Sequence, residues 1–594
     1  MPSFFNIPLP GVAFPVNLRP DWRQKLRGYL WWARYYTLPV TVWLTIVYAI
    51  MLAVQPEFLP IPLRIGDPDK HFTVKTPHPI TSLIEKHEAQ WEQIMSHGQK
   101  SVHEAAEAYR ERRGHHPPPH FDEWAKAALK ENSVIVESFF DRIYHDLKPL
   151  WSISATNITF TTISQPNVIR IRGGKVAHFT NGTGNTKWVK TYADFIGEFS
   201  DKLPDMDIPI NVMDTPRLTV SKTDIDDCYS YQSEQMNLDL SLDDAVTVYS
   251  RLDTNLTVKP HEIMFTYNHD WHTDGLAADP AAYWLMYRQT CLSKSYDGGP
   301  PPHEVELSME SSIRGSFPNH TSPAFSSGGY ISNVTLARDP CAQLHIRALH
   351  GIFLKTTGFS TSTSLTPIFS GSKLPGNNDI LLPSAIYLSQ KEPAFVNKFK
   401  DLPWDERADG LYWRGKAPAG DVVEDGNWWR FQRYRFVQMA DGDRARAYYN
   451  DGRADDVNLH RFSVDLDTGM HSSRWPHLLR SKTMPIKATI FVEWHDARLQ
   501  PWVHYVPMDN TFMDIYGILD YFTVPWSGKH KTYEKAGKKI AKAGTEWAKK
   551  WLRREDMKLY TWRLLLEFAR LHHDNRSKMA YVDDLIDKNK RDLE

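Results

Sequence analysis

Two arginines, a serine pair and an aspartate stand in this chain where a diphosphate could be gripped and a hydroxyl deprotonated. Arg414 and Gly415 follow the short apolar run 411–413. In an open α/β domain ligands sit at the carboxyl ends of strands, glycine lets the backbone approach closely, and arginine offers phosphate a planar fork of donors. An ordinary strand end with a surface arginine fits the same residues. Thr468, Gly469, Met470, His471, Ser472, Ser473 and Arg474 precede a helix-like stretch, so the Ser472 and Ser473 amides and a positive helix end form a natural anion cradle. Arg474 sits in the first turn, where helix energetics disfavour a cation unless an anion or a carboxylate offsets it. Asp214 closes the run 208–213 ahead of Pro216, a place for a general base and equally for a turn-capping carboxylate. Glu493 ends another apolar run and could accept ribose hydroxyls. Asp465 and Asp467 imitate a metal-binding pair but also suit turn formation, and His504 reads as a hydrogen-bonded core histidine.

These residues need elements to hold them. Short apolar runs at 157–163, 168–171, 208–213, 411–413, 489–492 and 503–506 alternate with helical segments, which predicts α/β domains with parallel sheets. One helix is expected from Ser82, with Glu85 at capping-box spacing, through Tyr109, stopped by Gly114. His115, His116 and His120 lie in a Pro-rich run, read as a solvated turn rather than a metal cluster. Residues 254–372 read as long loops bridged by Cys291 and Cys341, and Asp556 is expected to cap a final helix bearing Tyr560, Leu564, Phe568 and Leu571.

A formal net charge of −1 over 594 residues gives no global field for nucleic acid, and 21 Trp with 26 Tyr suit either a sugar-like ligand or a large core. Three cysteines, Cys228, Cys291 and Cys341, are too scattered for paired zinc ligands; one disulfide with a free thiol, or three buried thiols, both fit. Residues 35–54 carry no charge and as a helix would reach about 30 Å. Arg19, Arg23, Lys25, Arg27 and Arg34 precede that run, so a single-pass anchor with a cytoplasmic N-terminus is expected, a signal peptide and a core helix being the rivals. Sequons at Asn157, Asn181, Asn255, Asn319, Asn333 and Asn575 all come after it.

Taken in order, the segments HPITSLIEKHEAQW from His78, EAYRERRGHHPPPHFDEW from Glu107, INVMDTPRL from Ile210, NDILLPS from Asn378, YWRGKAPAG from Tyr412, RYRFVQM from Arg433, DLDTGMHSSRW from Asp465, PWVHYVP from Pro501 and the tail from Lys538 resemble glycosyltransferase family 90. That family contains fungal capsule-associated xylosyltransferases and animal protein O-glucosyltransferases. The resemblance implies an α/β, GT-B-like pair of Rossmann-like domains with an N-terminal transmembrane helix and helical stem. The expected division is a cytoplasmic tail (1–34), an anchor (35–54), a stem and helical region (55–150), an acceptor/base domain (151–395), a nucleotide-sugar domain (396–530) and C-terminal helices (531–594). It implies an inverting transfer from a UDP-sugar, xylose favoured over glucose, to a glycan or glycoprotein hydroxyl, with Asp214 as base and Arg414 and Arg474 on the phosphates. No cofactor is implied beyond the donor. A metal-dependent transferase using Asp465 and Asp467, or a non-catalytic carbohydrate-binding protein of the same fold, are the alternatives. The implied location is the Golgi or endoplasmic reticulum membrane, with the bilayer as a partner. Ala417, Pro418 and Ala419 replace the family's usual glycines, and Met470 and His471 stand inside the loop, both bearing on the choice of sugar.

Overall fold

His78 and Pro79 start the first helix for a local reason: the His78 ring accepts from the Ile80 amide, and Pro79 occupies a position whose N–H would have no helical partner. This is α1 (Pro79–Ser96) of a computed structural model that describes residues 77–180, 186–213, 215–233, 282–291, 325–354, 360–389, 402–415, 428–439, 457–523 and 533–586. The described residues belong to the unit Pro77–Glu594. The single helix expected through Tyr109 is two. The chain leaves α1 at His97, and Ser101 caps α2 (Val102–Arg113) by accepting from the Glu104 amide at 3.1 Å. Gly114, at φ 72°, then closes α2 in the left-handed region.

The Pro-rich run beyond Gly114 is no solvated turn. His115 and His116 are buried; Arg110 Nε donates to His116 Nδ1 at 3.0 Å, and Arg570 Nη2 lies 3.3 Å from His115 Nδ1. α3 (Phe121–Lys130) packs Trp124 into the same core, its indole donating to the Leu559 carbonyl. The strand expected at 157–163 is instead α4 (Ala155–Ile163). Ser154 caps it, and Thr159, Thr161 and Thr162 return their hydroxyls to carbonyls one turn back, which reconciles β-branched residues with a helix.

β1 (Asn167–Arg172) and β2 (Lys175–Thr180) form a hairpin through Gly173 and Gly174, both at positive φ. After α5 (Lys187–Gly197), β3 (Met206–Pro209) completes a three-stranded antiparallel sheet of order β2-β1-β3. Beyond it Ile210 bridges in parallel to Phe369 in β4 (Phe369–Ser370), which pairs in parallel with β5 (Ile380–Leu381).

The second sheet contains β6 (Ala408–Tyr412), β7 (His460–Leu466), β8 (Met484–Ala488) and β9 (Val506–Pro507), in order β9-β8-β7-β6 and parallel throughout. α6 (Gln432–Met439) lies between β6 and β7 in the chain, and α7 (Trp475–Arg480) between β7 and β8. Every residue of β7 and β8 is buried, as expected of a parallel sheet covered on both faces. α8 (Glu534–Trp551) crosses this half, and α9 (Arg554–Arg570) runs through the main core, buried nearly all round. Asp556 stands three positions inside α9 and accepts from the Arg553 amide in a capping box.

Two expectations are corrected here. The fold is mixed α/β; among the described residues the four-stranded parallel sheet is matched in the other half by an antiparallel hairpin sheet and the two-stranded parallel β4–β5 sheet, so the expected pair of Rossmann-like domains is not seen among them. Among the described residues no helix is long and apolar enough to cross a membrane; the two 18-residue helices, α1 and α8, carry charges along their length. The expected transmembrane helix and single-pass Golgi or endoplasmic reticulum placement are not supported by any described helix, and residues 35–54, on which they rest, lie outside the described part.

Candidate functional site

β6 and β7 are neighbours, Leu411 pairing with Phe462 and Tyr412 with Ser463, so the chain leaving each strand emerges on one edge of the sheet. After β6 come Trp413, Arg414 and Gly415; after β7 comes a turn in which the Met470 carbonyl accepts from the Thr468 amide at 2.8 Å, leading to Ser472, Ser473 and Arg474. The two predicted arginines therefore meet: Arg474 Nη1 donates to the Arg414 carbonyl. α6 brings in a third. Arg433 donates from Nε to the Asp467 carbonyl at 2.9 Å and from Nη2 to the Leu466 carbonyl at 3.1 Å. Gly415 lies between them, since a Cβ there would stand 3.4 Å from Arg474 Nη1 and 3.5 Å from Arg433 Nη1. Both guanidinium groups also lie over the Trp413 ring, at 5.7 and 5.9 Å.

Burial, and then the charge of Arg474, bring the Arg433 pKa down to about 10. Arg433 stays charged at neutral pH, but two neighbouring cations repel, and a diphosphate would relieve that repulsion. Arg474 Nη2 is buried without a hydrogen-bond partner among the described residues. α7 has only six residues and takes Arg474 itself as its N-cap, so little helix dipole is on offer and the guanidinium groups supply most of the positive charge.

The loop is held from behind. Tyr387 Oη lies 2.6 Å from Glu493 Oε2 and 3.0 Å from the Ser472 carbonyl, and Ser472 Oγ accepts from the Arg474 amide at 3.3 Å. Glu493 is buried; Lys487 Nζ is 3.3 Å away and Tyr387 occupies its other oxygen. Burial alone would raise the Glu493 pKa, but Lys487, His495, His471 and the Tyr387 hydrogen bond hold it at about 2. In this setting the carboxylate orients the 470–474 loop. Asp465 lies 3.7 Å from Lys487, while Asp467 Oδ2 accepts from the Ile490 amide at 2.8 Å and stands 3.5 Å from His350. No group of three or more metal-ligating side chains occurs among the described residues.

The segment expected to carry the base leaves β3 through Ile210. Asp214 lies outside the described residues, but its flanks are fixed: Asn211 donates to the Thr215 carbonyl at 2.9 Å and to Ser370 Oγ at 3.0 Å, and accepts from the Met213 amide at 2.8 Å. Beyond the turn, Asp379 accepts from the Arg217 and Leu218 amides, and Lys373 joins the Asp379 carbonyl to Asp146. Lys373 exchanges main-chain hydrogen bonds with Val492, one residue before Glu493, which ties the two halves together. Between them lies a small cleft of about 10 Å³ whose wall includes Asn211 and Met213 on one side and Met470 and His471 on the other. His471 is buried, which lowers its pKa and keeps it neutral; its Nδ1 is 2.9 Å from Ser372 Oγ.

The remaining predicted residues are scattered. His504 is a core histidine, Nδ1 accepting from the Gln500 amide and the ring stacked on Trp547 at 5.3 Å. Cys291 and Cys341 form a disulfide, and Cys228 is free. Asn157, Asn333 and Asn575 are exposed; Asn181, Asn255 and Asn319 lie outside the described residues. Arg433 and Tyr387 are the site residues that reading for chemistry missed, because neither adjoins a Gly- or Ser-rich turn. The one signal for Arg433 was its place in the RYRFVQM segment.

The profile of Glycosyl transferase family 90 matches residues 355–588, which include Arg414, Arg433, Arg474 and Glu493 but not Asp214. Protein O-glucosyltransferase 2 of Danio rerio is 27% identical over 139 residues, 23% of this chain and 26% of that protein. The chain thus spans about a quarter of the length of this curated relative.

Proposed function

We propose that this chain is an inverting glycosyltransferase moving a sugar from a UDP-sugar to a hydroxyl of a glycan or glycoprotein, a reading supported by the match of residues 355–588 to the glycosyl transferase family 90 profile. The observation that carries this reading is the meeting of the Arg433 and Arg474 guanidinium groups, beside the Arg414 main chain and around Gly415, at the carboxyl edge of a parallel sheet. Ligands bind at such edges, and preorganised positive charge acts on the leaving diphosphate where its charge develops. Asp214 takes the acceptor's proton; the acceptor oxygen bonds the anomeric carbon as the carbon–oxygen bond to the diphosphate breaks, and the negative charge comes to rest among the guanidinium groups. Xylose is the first sugar to test, and glucose the second, since the matched relative is named an O-glucosyltransferase.

The experiment is a screen of the protein with UDP-xylose, UDP-glucose and other UDP-sugars, reading transfer and UDP release. Asp214→Asn should abolish transfer and keep UDP affinity. Undiminished turnover in that variant removes Asp214 from the mechanism, and absence of UDP binding by the unaltered protein overturns the whole reading. Full activity under excess chelator is the expected result; its loss would favour Asp465 and Asp467 as metal ligands.

A further inference from the structure

We propose that the cleft between the 211–213 turn and the 470–471 loop receives one hydroxyl of the donor sugar, and that His471 selects it. This rests on the reading of the arginine cluster as a site for a sugar diphosphate. At about 10 Å³ the cleft has room for one water-sized group and lies far below the roughly 300–1,000 Å³ of ordinary small-molecule sites, so it suits a single hydroxyl rather than a whole ligand. Its lining is mixed. Trp188, Tyr192, Met213 and Met470 contribute large side chains, while Ser372, Ser384, Asn211 and His471 contribute polar atoms.

Most of that polar capacity is committed. Asn211 spends both amide hydrogens on Thr215 and Ser370, and its oxygen on Met213. His471 differs. It is 2% exposed, Ser372 fixes its ring through Nδ1, and Nε2 is buried with no hydrogen-bond partner among the described residues. An unsatisfied buried polar atom costs about 1–3 kcal/mol, a cost that a ligand hydroxyl would remove. Gly371 keeps the wall close, since a Cβ there would stand 2.9 Å from Ser384 Oγ. His471 directly precedes Ser472, Ser473 and Arg474, so a sugar whose diphosphate lies at Arg474 has its ring beside this imidazole. A site that hydrogen-bonds a hydroxyl discriminates far more sharply than an apolar pocket of the same shape. His471 is thus a specificity residue of the donor site.

The test measures the affinity of the full chain for UDP and for UDP-xylose, UDP-glucose, UDP-galactose and UDP-N-acetylglucosamine by calorimetry. His471→Ala should leave UDP affinity within about 2-fold while lowering the affinity of the preferred UDP-sugar relative to UDP by about 10-fold, the effect of one lost hydrogen bond. It should also flatten preference across the panel, and His471→Gln, which keeps a donor, should restore part of it. UDP affinity serves as the folding control; if His471→Ala does not fold, Ser372→Ala, which frees the ring to turn, should show the same flattening in weaker form. Unchanged sugar preference in the folded variants overturns this inference and leaves the transferase reading standing. Failure of the unaltered protein to bind UDP or any UDP-sugar overturns both.

Discussion

Two arginine clusters among the described residues are built on opposite principles. In the main core Arg563 on α9 is fully buried, donates from Nη2 to both Glu137 oxygens at 3.0 Å, and lies over Phe121 at 4.6 Å and Trp124 at 4.5 Å. Burial works against its charge, yet Glu137 more than compensates and its pKa rises above the ordinary arginine value. At the sheet edge the described hydrogen bonds of Arg433 and Arg474 run to main-chain carbonyls, and the Arg433 pKa falls to about 10. The first cluster is completed in charge by its carboxylates, although Arg563 Nη1 is buried without a hydrogen-bond partner among the described residues. The second brings cations together and gains from a bound anion. A buried arginine whose carboxylate lifts its pKa is architecture, whereas one whose pKa is lowered by burial and by a second arginine is suited to an added anion.

The largest effect that would test this contrast lies in the completed cluster. Glu137→Ala removes the carboxylate paired with Arg563 and one of the two paired with Arg113, whose Nε donates to Glu137 Oε1 at 2.8 Å while its Nη1 keeps Asp141 at 2.7 Å. Removing one partner of a buried pair costs about 3–5 kcal/mol, so a large drop in urea midpoint is expected, with UDP affinity of the folded protein retained. A loss under about 1 kcal/mol would show that Glu137 is not what makes the cluster complete. Arg474→Ala should behave in the opposite way. UDP affinity falls by about 10- to 100-fold, as for loss of charge-assisted hydrogen bonds, while the urea midpoint holds or rises because Arg433 loses a repulsive neighbour. Destabilisation as deep as that of Glu137→Ala would erase the distinction.

Acid should separate the regions next. His115 belongs to the completed cluster, beside Tyr109 and Arg570. Burial, and then Arg570, lower its pKa to about 3. The folded chain keeps this imidazole neutral while the unfolded chain protonates it near 6.5, so its contribution is fully present above that pH. It is lost by about 1.4 kcal/mol per pH unit as pH falls from about 6.5 toward 3. Urea midpoints should therefore decline below pH 6.5, and less steeply in His115→Gln. Equal slopes in the two proteins would mean that the ring is not held neutral.

How much of this was legible in the sequence depends on distance along the chain. Arg414, Gly415, Ser472, Ser473 and Arg474 stood out from their Gly- or Ser-rich surroundings, and β6 overlaps the run at 411–413, whereas no run was read over β7. Arg433 and Tyr387 reach the site only because strand pairing and α6 bring distant segments together. His115 and His116 read as solvated from their prolines, but Arg570, near the other end of the chain, buries them. The threonines of α4 favour strand on propensity, and the Ser154 cap outweighed them. The antiparallel β2-β1-β3 sheet was missed for a similar reason, since the Gly173–Gly174 turn signal is local but the β1–β3 pairing is not.

The smallest effects come from two glycines, and they set the completed half against the open one again. Gly544 on α8 packs directly on the His504 carbonyl, so a Cβ there would collide with backbone that has nowhere to go. Gly544→Ala should cost about 1–3 kcal/mol, read as a lower thermal midpoint. At Gly415 an added Cβ would meet the Trp413 ring at 3.1 Å and Arg474 Nη1 at 3.4 Å. Those neighbours are side-chain ends, and Arg474 has rotamers to spare, so Gly415→Ala should leave the midpoint within about 0.5 kcal/mol. The cost should appear in binding instead. A methyl group between two guanidinium groups occupies space that a phosphate oxygen would need, and a few-fold loss of UDP affinity is expected, small beside that of Arg474→Ala. If Gly415→Ala binds UDP as tightly as the unaltered protein, the anion does not enter between Arg433 and Arg474, and the open cluster faces its ligand from the Trp413 side instead.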